Sequence, residues 1–187
     1  ELADELASQG RMWLRFYKAS HALYARSAKG EAPAFIAEYL DAGKPRRILD
    51  YGRMNRFKNQ YPVIIRPDLI LTDNGFAACE LDSVPGGFGL TGCLMRLYER
   101  EGLPCLGSPD GIVAGFAAAL KHLAGRDDPS VAICVSEESR MYTPEMKWLA
   151  GALAESGVQC RAVRPEELQV ATDGVRAGDD PRPIDVV

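Results

Sequence analysis

The stretch that decides the fold is Ile64 to Thr91, IIRPDLILTDNGFAACELDSVPGGFGLT. Its apolar and β-branched residues flank an Asp-Asn-Gly turn signal, and Asn-Gly supplies the two positive φ angles that a type I′ hairpin needs. The stretch therefore predicts a strand, a tight turn at Asn74, a return strand over Phe76 to Leu81, and a glycine-rich elbow that leads into a helix.

Polar residues gather near one end of this predicted hairpin, although a packed hairpin does not need them. They are Arg66, Asp68, Glu80, Asp82 and Ser83. Glu80 and Asp82 are two residues apart, so they share one face of the strand, and they repel unless a cation, a ligand amine or Arg66 lies between them. For Arg66 two interpretations stay open: a surface salt bridge to Asp68, or a bidentate grip on a substrate carboxylate.

The glycine elbow also has two interpretations. Its candidate binding residues are Gly86, Gly87, Gly89 and Thr91. The glycines either allow tight backbone packing, or expose N–H groups that bind a carboxylate or phosphate together with the N-terminus of the next helix. The spacing Gly87-x-Gly89-x-x-Gly92 matches the dinucleotide fingerprint, but its strand comes from a hairpin rather than from a βαβ unit, so the match is a weak signal.

The second half of the chain predicts alternating strands and helices. Val131–Val135 is a near-continuous apolar strand and Val158–Val163 is the next strand. The alternation of helix and strand favours an open, mostly parallel α/β sheet with crossover helices. Ser136 and Glu137 follow the first of these strands, where α/β folds place ligands, and an ordinary solvated loop is the alternative. Tyr142, just before a helix, is expected to stack on or donate to a ligand, or to pack.

The remaining elements are predicted from periodicity and helix-end signals. Residues 47–51 are expected to form a short strand or turn, and the helix after Gly107 is expected to use Ser108 as its N-cap, as Thr143 does for the next helix. We expect residues 1–45 to be a helical segment that packs on an α/β domain of residues 46–187, as one compact unit. The other predicted elements are helices over 2–28, 33–42 and 90–100, a single turn at 164–168, a hairpin over 169–176 and a last strand over 184–187.

Composition narrows the function. A net charge of −4 argues against a nucleic-acid partner, and the apolar runs are too short to cross a bilayer. No signal-peptide pattern opens the chain, and its five cysteines form no C-x-x-C pair, so reduced thiols in a cytoplasmic protein are expected. With two histidines, neither near a cysteine in sequence, no metal site is expected. The chain opens on Glu1 rather than Met, so we expect a piece of a longer protein.

The residues RPD at 66–68, DNG at 73–75 and CELDSVPGGFGLT at 79–91 resemble the pre-ATP-grasp domain of ATP-grasp carboxylate–amine ligases. This is their N-terminal substrate-binding region, and glutathionylspermidine synthase-like proteins and the eukaryotic type of glutathione synthetase are closest in pattern. The resemblance implies a Rossmann-like α/β domain in which Arg66, Asp68 and Glu80 match the family's strand motif. Asp82 and Ser83 fall where the family usually has Asn or another small polar residue.

The resemblance also implies a function. The chain would bind a small polar substrate (an amino acid, a peptide or a polyamine) and would not catalyse alone or carry a cofactor of its own. A C-terminal ATP-grasp domain of the same protein would supply ATP and Mg²⁺. Arg66 and the elbow amides would hold a substrate anion, while Glu80 and Asp82 would hold its amine or set the loop. Two alternatives stay open: a Rossmann-like enzyme that binds a nucleotide cofactor, and a non-enzymatic interaction module.

Overall fold

The computed structural model describes residues 2–73, 75–83 and 86–187 and is mixed α/β. Tertiary contacts divide the chain into two compact units, residues 1–83 and 84–187. The boundary between residues 45 and 46 stays a prediction. In unit 1 the elements are α1 (Leu2–Ala28), α2 (Ala34–Asp41), α3 (Arg46–Gly52), β1 (Arg66–Thr72) and β2 (Gly75–Asp82). In unit 2 they are α4 (Phe88–Arg100), α5 (Gly111–Ala124), β3 (Ser130–Cys134), α6 (Thr143–Glu155), β4 (Gln159–Val163), β5 (Leu168–Ala171) and β6 (Gly174–Ala177).

The helices α1 and α2 form as the apolar periodicity predicts, and a buried serine ties them together. The hydroxyl of Ser27 donates to the carbonyl of Pro33 at 2.6 Å and accepts from the N–H of Ala37 at 3.0 Å. Ser27 and Ala37 are both buried. The start of α2 is therefore fixed by a hydrogen bond from α1 rather than by a side-chain cap of its own.

The prediction of a strand or turn over residues 47–51 is wrong, because this segment lies inside α3. Pro45 precedes the helix with φ −58°, an angle that suits a helix start. Arg46 then pairs with Asp50 at 2.8 Å, one helical turn later, and such pairs support a short helix.

The predicted hairpin forms, with β1 and β2 antiparallel. Gly75 has φ 105°, a left-handed angle that glycine adopts without strain. The predicted type I′ turn depends on Asn74, which lies outside the described residues.

Unit 2 has an apolar core around two parallel strands. The strands β3 and β4 pair in parallel, α6 connects them, and Val186 adds a single parallel bridge to Val131 on the other side of β3. The helices α5 and α6 contribute much of the buried side-chain volume. The fully enclosed apolar core consists of Val113, Ala117, Leu120, Val131, Leu149, Ala152, Leu153 and Val158.

The sheet is smaller than the sequence predicts. The described strands form three two-stranded sheets, of which only β3–β4 is parallel, so they do not confirm an open, Rossmann-like sheet. The predicted hairpin of residues 169–176 is confirmed as β5 and β6. The last predicted strand is reduced to single bridges at Ile184 and Val186.

Two of the predicted N-caps are wrong. The helix α5 begins at Gly111 with Asp110 as its N-cap, because Ser108 and Pro109 belong to a turn closed by the Gly111 N–H on the Ser108 carbonyl at 2.9 Å. In α6 the N-cap is Tyr142 rather than Thr143, and no side chain caps it. Within the described residues no helix combines the length and the apolar character that a membrane crossing requires.

Candidate functional site

The strand register brings four predicted charged residues onto one face of the hairpin. Arg66 lies opposite Asp82, and Asp68 lies opposite Glu80. The register then shifts by one residue, since Leu69 pairs with Ala78, which leaves Cys79 as the extra residue of a β-bulge. Residues opposite each other on antiparallel strands have neighbouring side chains, so the acids and the arginine meet as the sequence predicts.

The guanidinium of Arg66 is held by two of these acids. Its Nε donates to Asp68 Oδ1 at 2.9 Å, and its Nη2 lies 3.5 Å from Asp82 Oδ2. The pKa of Arg66 is raised, mainly by the hydrogen bond to Asp68, with smaller attractions from Asp68, Asp82 and Glu80. The side chains of Arg66 and Asp68 remain 44% and 39% exposed, so water and a ligand can both reach the cluster.

This geometry bears on the two interpretations of Arg66. The salt bridge to Asp68 is confirmed, and Nη2 faces Asp82. The bidentate grip on a substrate carboxylate stays a prediction, and it would require Arg66 to release these acids. One guanidinium against three carboxylates leaves an excess of two negative charges. Such a cluster attracts a cation more readily than an anion.

Two N–H groups at the glycine elbow already bind a carboxylate of the protein. Glu145, from α6, accepts hydrogen bonds from the N–H of Gly87 at 3.0 Å and of Leu90 at 3.3 Å, one with each carboxylate oxygen. Gly87 is the N-cap of α4 with φ 74°, a left-handed angle that turns its N–H toward this carboxylate. A protein carboxylate therefore occupies the positive end of α4 that the sequence assigns to a ligand anion.

No local sequence pattern indicates that Glu145 binds the elbow. It lies 58 residues from Gly87, and its position in the first turn of α6 suggests only that it favours the dipole of its own helix. A contact between residues so distant in sequence cannot be inferred from local patterns.

The packing interpretation is confirmed at Gly86 and Gly89, whereas a Cβ at Gly87 would meet nothing within 4 Å. A Cβ at Gly86 would lie 2.8 Å from the ring of Tyr142, and one at Gly89 would overlap the backbone carbonyl oxygen of Glu145. Glycine is thus needed where α4 approaches α6. Tyr142 packs on the elbow, as the second interpretation of this residue predicts.

The other predicted site residues have ordinary local roles. The hydroxyl of Thr91 donates to the carbonyl of Gly87 within α4, at 2.8 Å. Glu137 pairs with Arg140 at 2.9 Å on an exposed turn. The pKa of Glu138 is lowered mainly by a hydrogen bond from its own backbone N–H, and to a smaller extent by a hydrogen bond from the Ser136 side chain. Ser83 directly follows β2 and is half-buried. Residues 136–138 thus form the solvated loop that the sequence offered as an alternative.

The predicted pocket is therefore divided between the two units. The hairpin cluster and Ser83 belong to unit 1, while Tyr142, the elbow and Ser136–Glu137 belong to unit 2. A single pocket made from both stays a prediction. Among the residues that the structure describes, no group of three or more His, Cys, Asp or Glu side chains could hold a metal ion.

Comparison of the sequence with protein-family models and with curated proteins finds no match. The resemblance to the ATP-grasp ligases thus depends on the motif residues themselves.

Proposed function

We propose that the chain is the substrate-binding region of an ATP-grasp ligase-like protein, and that its hairpin binds the amino end of a small polar substrate. The observation that carries the proposal is the register of β1 and β2, which gathers three carboxylates around Arg66. The motif residues Arg66, Asp68 and Glu80 support the ligase resemblance.

In this proposal the charged residues of the hairpin have different roles in binding the amine. Arg66 holds Asp68 and Asp82 in place and offsets part of their mutual repulsion. Glu80 lies opposite Asp68 and is attracted to Arg66 more weakly than Asp68 and Asp82 are. The carboxylates of Glu80 and Asp68 would accept hydrogen bonds from a substrate ammonium, and such charge-assisted bonds are stronger than neutral ones.

The substrate class that this chemistry favours is a polyamine, or an amino acid or peptide held by its amino group. The substrate carboxylate, which the sequence assigned to Arg66 and the elbow, has no such partner in this proposal, since those donors bind Asp68, Asp82 and Glu145. The same bond at Gly87 weighs against the alternative of a nucleotide-cofactor enzyme, because a pyrophosphate at the elbow would have to displace a carboxylate.

ATP and Mg²⁺ would belong to a C-terminal ATP-grasp domain of the full-length protein. The described residues offer no group of three or more His, Cys, Asp or Glu side chains that could hold a metal ion. The contribution of this region would be to bind and orient the amine for attack on an activated carboxylate.

Calorimetric titration with spermidine at low and at physiological salt tests the proposal. We expect binding that weakens by about 3- to 10-fold in Glu80→Gln and in Asp68→Asn, since the lost hydrogen bonds are charge-assisted but partly exposed. The matched control is Glu166→Gln, which removes an exposed acid from a turn in unit 2.

Arg66→Gln distinguishes an arginine that only holds the acids of an amine site from one that binds a substrate carboxylate. If the hairpin binds an amine, this change should strengthen spermidine binding at low salt, because it removes the like charge. If Arg66 grips a substrate carboxylate, the change should abolish binding of acetate or glycine instead. Absence of spermidine binding to the folded protein, or equal weakening by Glu166→Gln, would refute the amine site.

A further inference from the structure

Unit 1 contains a cavity of about 280 Å³ between the first half of α1 and the segment that enters β1. It is separate from the hairpin cluster. Residues alternate across a strand, so Pro67 and Leu69 face the cavity on the side of β1 opposite to Arg66 and Asp68. The cavity is lined by Leu6, Gln9, Gly10, Trp13, Ile65, Pro67 and Leu69.

Two polar atoms in this lining are enclosed and have no hydrogen-bond partner within the described part of the chain. They are Oε1 of Gln9 and Nε1 of Trp13. Gln9 is only 7% exposed, and its Nε2 donates to Glu5 Oε1 at 3.1 Å. A carboxylate only accepts, so this bond fixes the orientation of the amide and leaves Oε1 as the acceptor without a partner.

These two atoms form a complementary pair. Gln9 and Trp13 are one helical turn apart on the same face of α1, so the side chain with the acceptor and the side chain with the N–H donor are neighbours. An enclosed polar group that makes no hydrogen bond destabilises the protein. A ligand that supplies the missing hydrogen bond to Gln9 or Trp13 is therefore favoured over one that does not. The rest of the lining is apolar and none of it is charged.

We propose that this cavity binds a small uncharged molecule that carries an amide or lactam next to a ring or hydrocarbon body. Solvent does not reach Gln9 Oε1 or Trp13 Nε1 in this structure, so binding would require small rotations of the two side chains. The N–H of the ligand would then donate to Gln9 Oε1, and its carbonyl would accept from Trp13 Nε1. Its apolar body would pack against Leu6, Pro67 and Leu69, and Gly10 leaves room for it because a Cβ there would meet nothing within 4 Å. Such a site is independent of the amine site on the hairpin.

The chain has two tryptophans, so the indole N–H signals of ¹⁵N-labelled protein test the proposal directly. Benzamide is the probe, and Trp13→Phe assigns the signals. We expect benzamide to move the Trp13 signal downfield in a saturable way, as its N–H becomes a donor, while the Trp148 signal stays in place. For so small a ligand the dissociation constant should be on the order of millimolar.

Two further ligands distinguish recognition of the amide by hydrogen bonds from occupation of the cavity by any apolar molecule. Toluene lacks the amide and would leave both polar atoms unpaired, so it should bind about 10-fold more weakly or worse. Benzylamine carries a charge, which the uncharged lining cannot stabilise, and should not move the Trp13 signal. Equal shifts with toluene, or no saturable shift with benzamide, would overturn the proposal and leave at most ordered water in the cavity.

Variants locate the site. Gln9→Leu should remove the preference for benzamide over toluene, whereas Gln60→Leu, at an exposed position of the same unit, should retain it. Gly10→Leu should fill the cavity and abolish binding of both ligands. Gly10→Ala is the milder second variant, since alanine favours a helix, and it should weaken binding even if the leucine variant fails to fold. Unchanged binding in Gln9→Leu and Gly10→Ala would refute this location.

Discussion

The two units differ in what holds them together. Unit 2 has a contiguous apolar core in which Leu149, Leu153 and Val158 are at most 1% exposed. In unit 1 the described residues that reach burial are Ala37 and two polar ones, Gln9 and Ser27. Large apolar side chains stay exposed there, among them Tyr39 and Leu71. Unit 1 therefore depends on directional polar contacts, and unit 2 depends on apolar burial.

A network of hydrogen bonds replaces an apolar core in the helical part of unit 1. Tyr24 donates to Asp41 at 2.7 Å, and Arg53 pairs with Asp41 and donates to the Tyr24 hydroxyl at 3.1 Å. The net gain from each such bond is modest, since water competes for the same groups. Both proposed binding sites belong to this less densely packed unit, which fits the rule that binding segments come from the less stable parts of a fold.

The two tryptophans allow the units to be measured separately. Trp13 lies in unit 1 and Trp148 lies in unit 2. A Trp13→Phe background makes Trp148 the sole tryptophan reporter of urea unfolding, and a Trp148→Phe background does the same for Trp13.

The largest effect is expected from Leu153→Ala in the core of unit 2. Leu153 is fully buried, so its truncation removes apolar contacts and leaves a cavity. The free energy of unfolding that Trp148 reports should fall by about 2 to 5 kcal/mol. Leu71→Ala is the control in unit 1, because Leu71 is 78% exposed and its loss should change stability by less than about 0.5 kcal/mol. Similar effects from both changes would contradict the contrast between the units.

A smaller loss is expected from Gly89→Ala at the contact of α4 with α6. The added Cβ would overlap the carbonyl oxygen of Glu145, so the helices must separate, which should cost about 1 to 3 kcal/mol in the same assay.

Gly115→Ala is the matched control within α5. A Cβ there would meet nothing within 4 Å, and alanine is the better helix former, so stability should stay constant or rise by up to about 1 kcal/mol. If Gly89→Ala behaved like Gly115→Ala, the elbow glycines would not be required for packing, and a binding role would regain support.

Ser27→Ala is expected to weaken unit 1. It removes the hydroxyl that joins α1 to α2 and leaves the buried N–H of Ala37 without its acceptor. The free energy of unfolding reported by Trp13 should fall by about 1 to 3 kcal/mol. Ser20→Ala, at an exposed position of α1, should change it by less than about 0.5 kcal/mol. A neutral Ser27→Ala would mean that apolar contacts, not this hydrogen bond, hold the two helices.

Glu145→Ala tests whether the Glu145 carboxylate stabilises the start of α4. It frees two N–H groups at the start of α4 and removes a negative charge from the positive end of that helix, so unit 2 should lose about 1 kcal/mol. Glu99→Ala near the other end of α4 is the control, and it should not destabilise, since its charge is at the unfavourable end of the dipole. Equal stability of Glu145→Ala and the parent protein would show that the carboxylate adds nothing to the cap.

The sequence predicted what local periodicity determines. The period of two along β1 and β2 placed Arg66, Asp68, Glu80 and Asp82 on one face, and the register agrees. It could not predict the bulge at Cys79, because a one-residue shift depends on the pairing of two strands rather than on the pattern of either.

Other errors arose where distant or tertiary partners decide the outcome. The amides of the elbow bind a residue 58 positions away, so a motif typical of ligand binding became a helix cap. The α3 segment contains few strong local signals, and its helix is supported by a side-chain pair that a strand assignment ignores. The sheet is narrower than predicted because apolar, strand-like segments do not fix how many strands pair.

The reactivity of the cysteines tests the difference in burial between unit 1 and unit 2, and its expected effect is the smallest. Burial raises the pKa of Cys160 in β4 to about 12, whereas Cys79 in unit 1 is exposed. The thiolate is the reactive form, so at pH 8 Cys160 should react much more slowly than a free thiol. Iodoacetamide followed by mass spectrometry should label Cys79 first and Cys160 only as unit 2 opens.

The same shift sets the direction of a pH dependence. The folded pKa of Cys160 lies above that of the unfolded chain, so the neutral thiol stabilises unit 2 below about pH 9, and this contribution is lost as the pH rises toward 12. Cys160→Ala should remove that part of the alkaline loss seen by Trp148, whereas Cys79→Ala should leave it unchanged. Rapid labelling of Cys160 at pH 8 in folded protein would show that β4 opens readily. It would then contradict the claim that unit 2 is the more tightly packed of the two units.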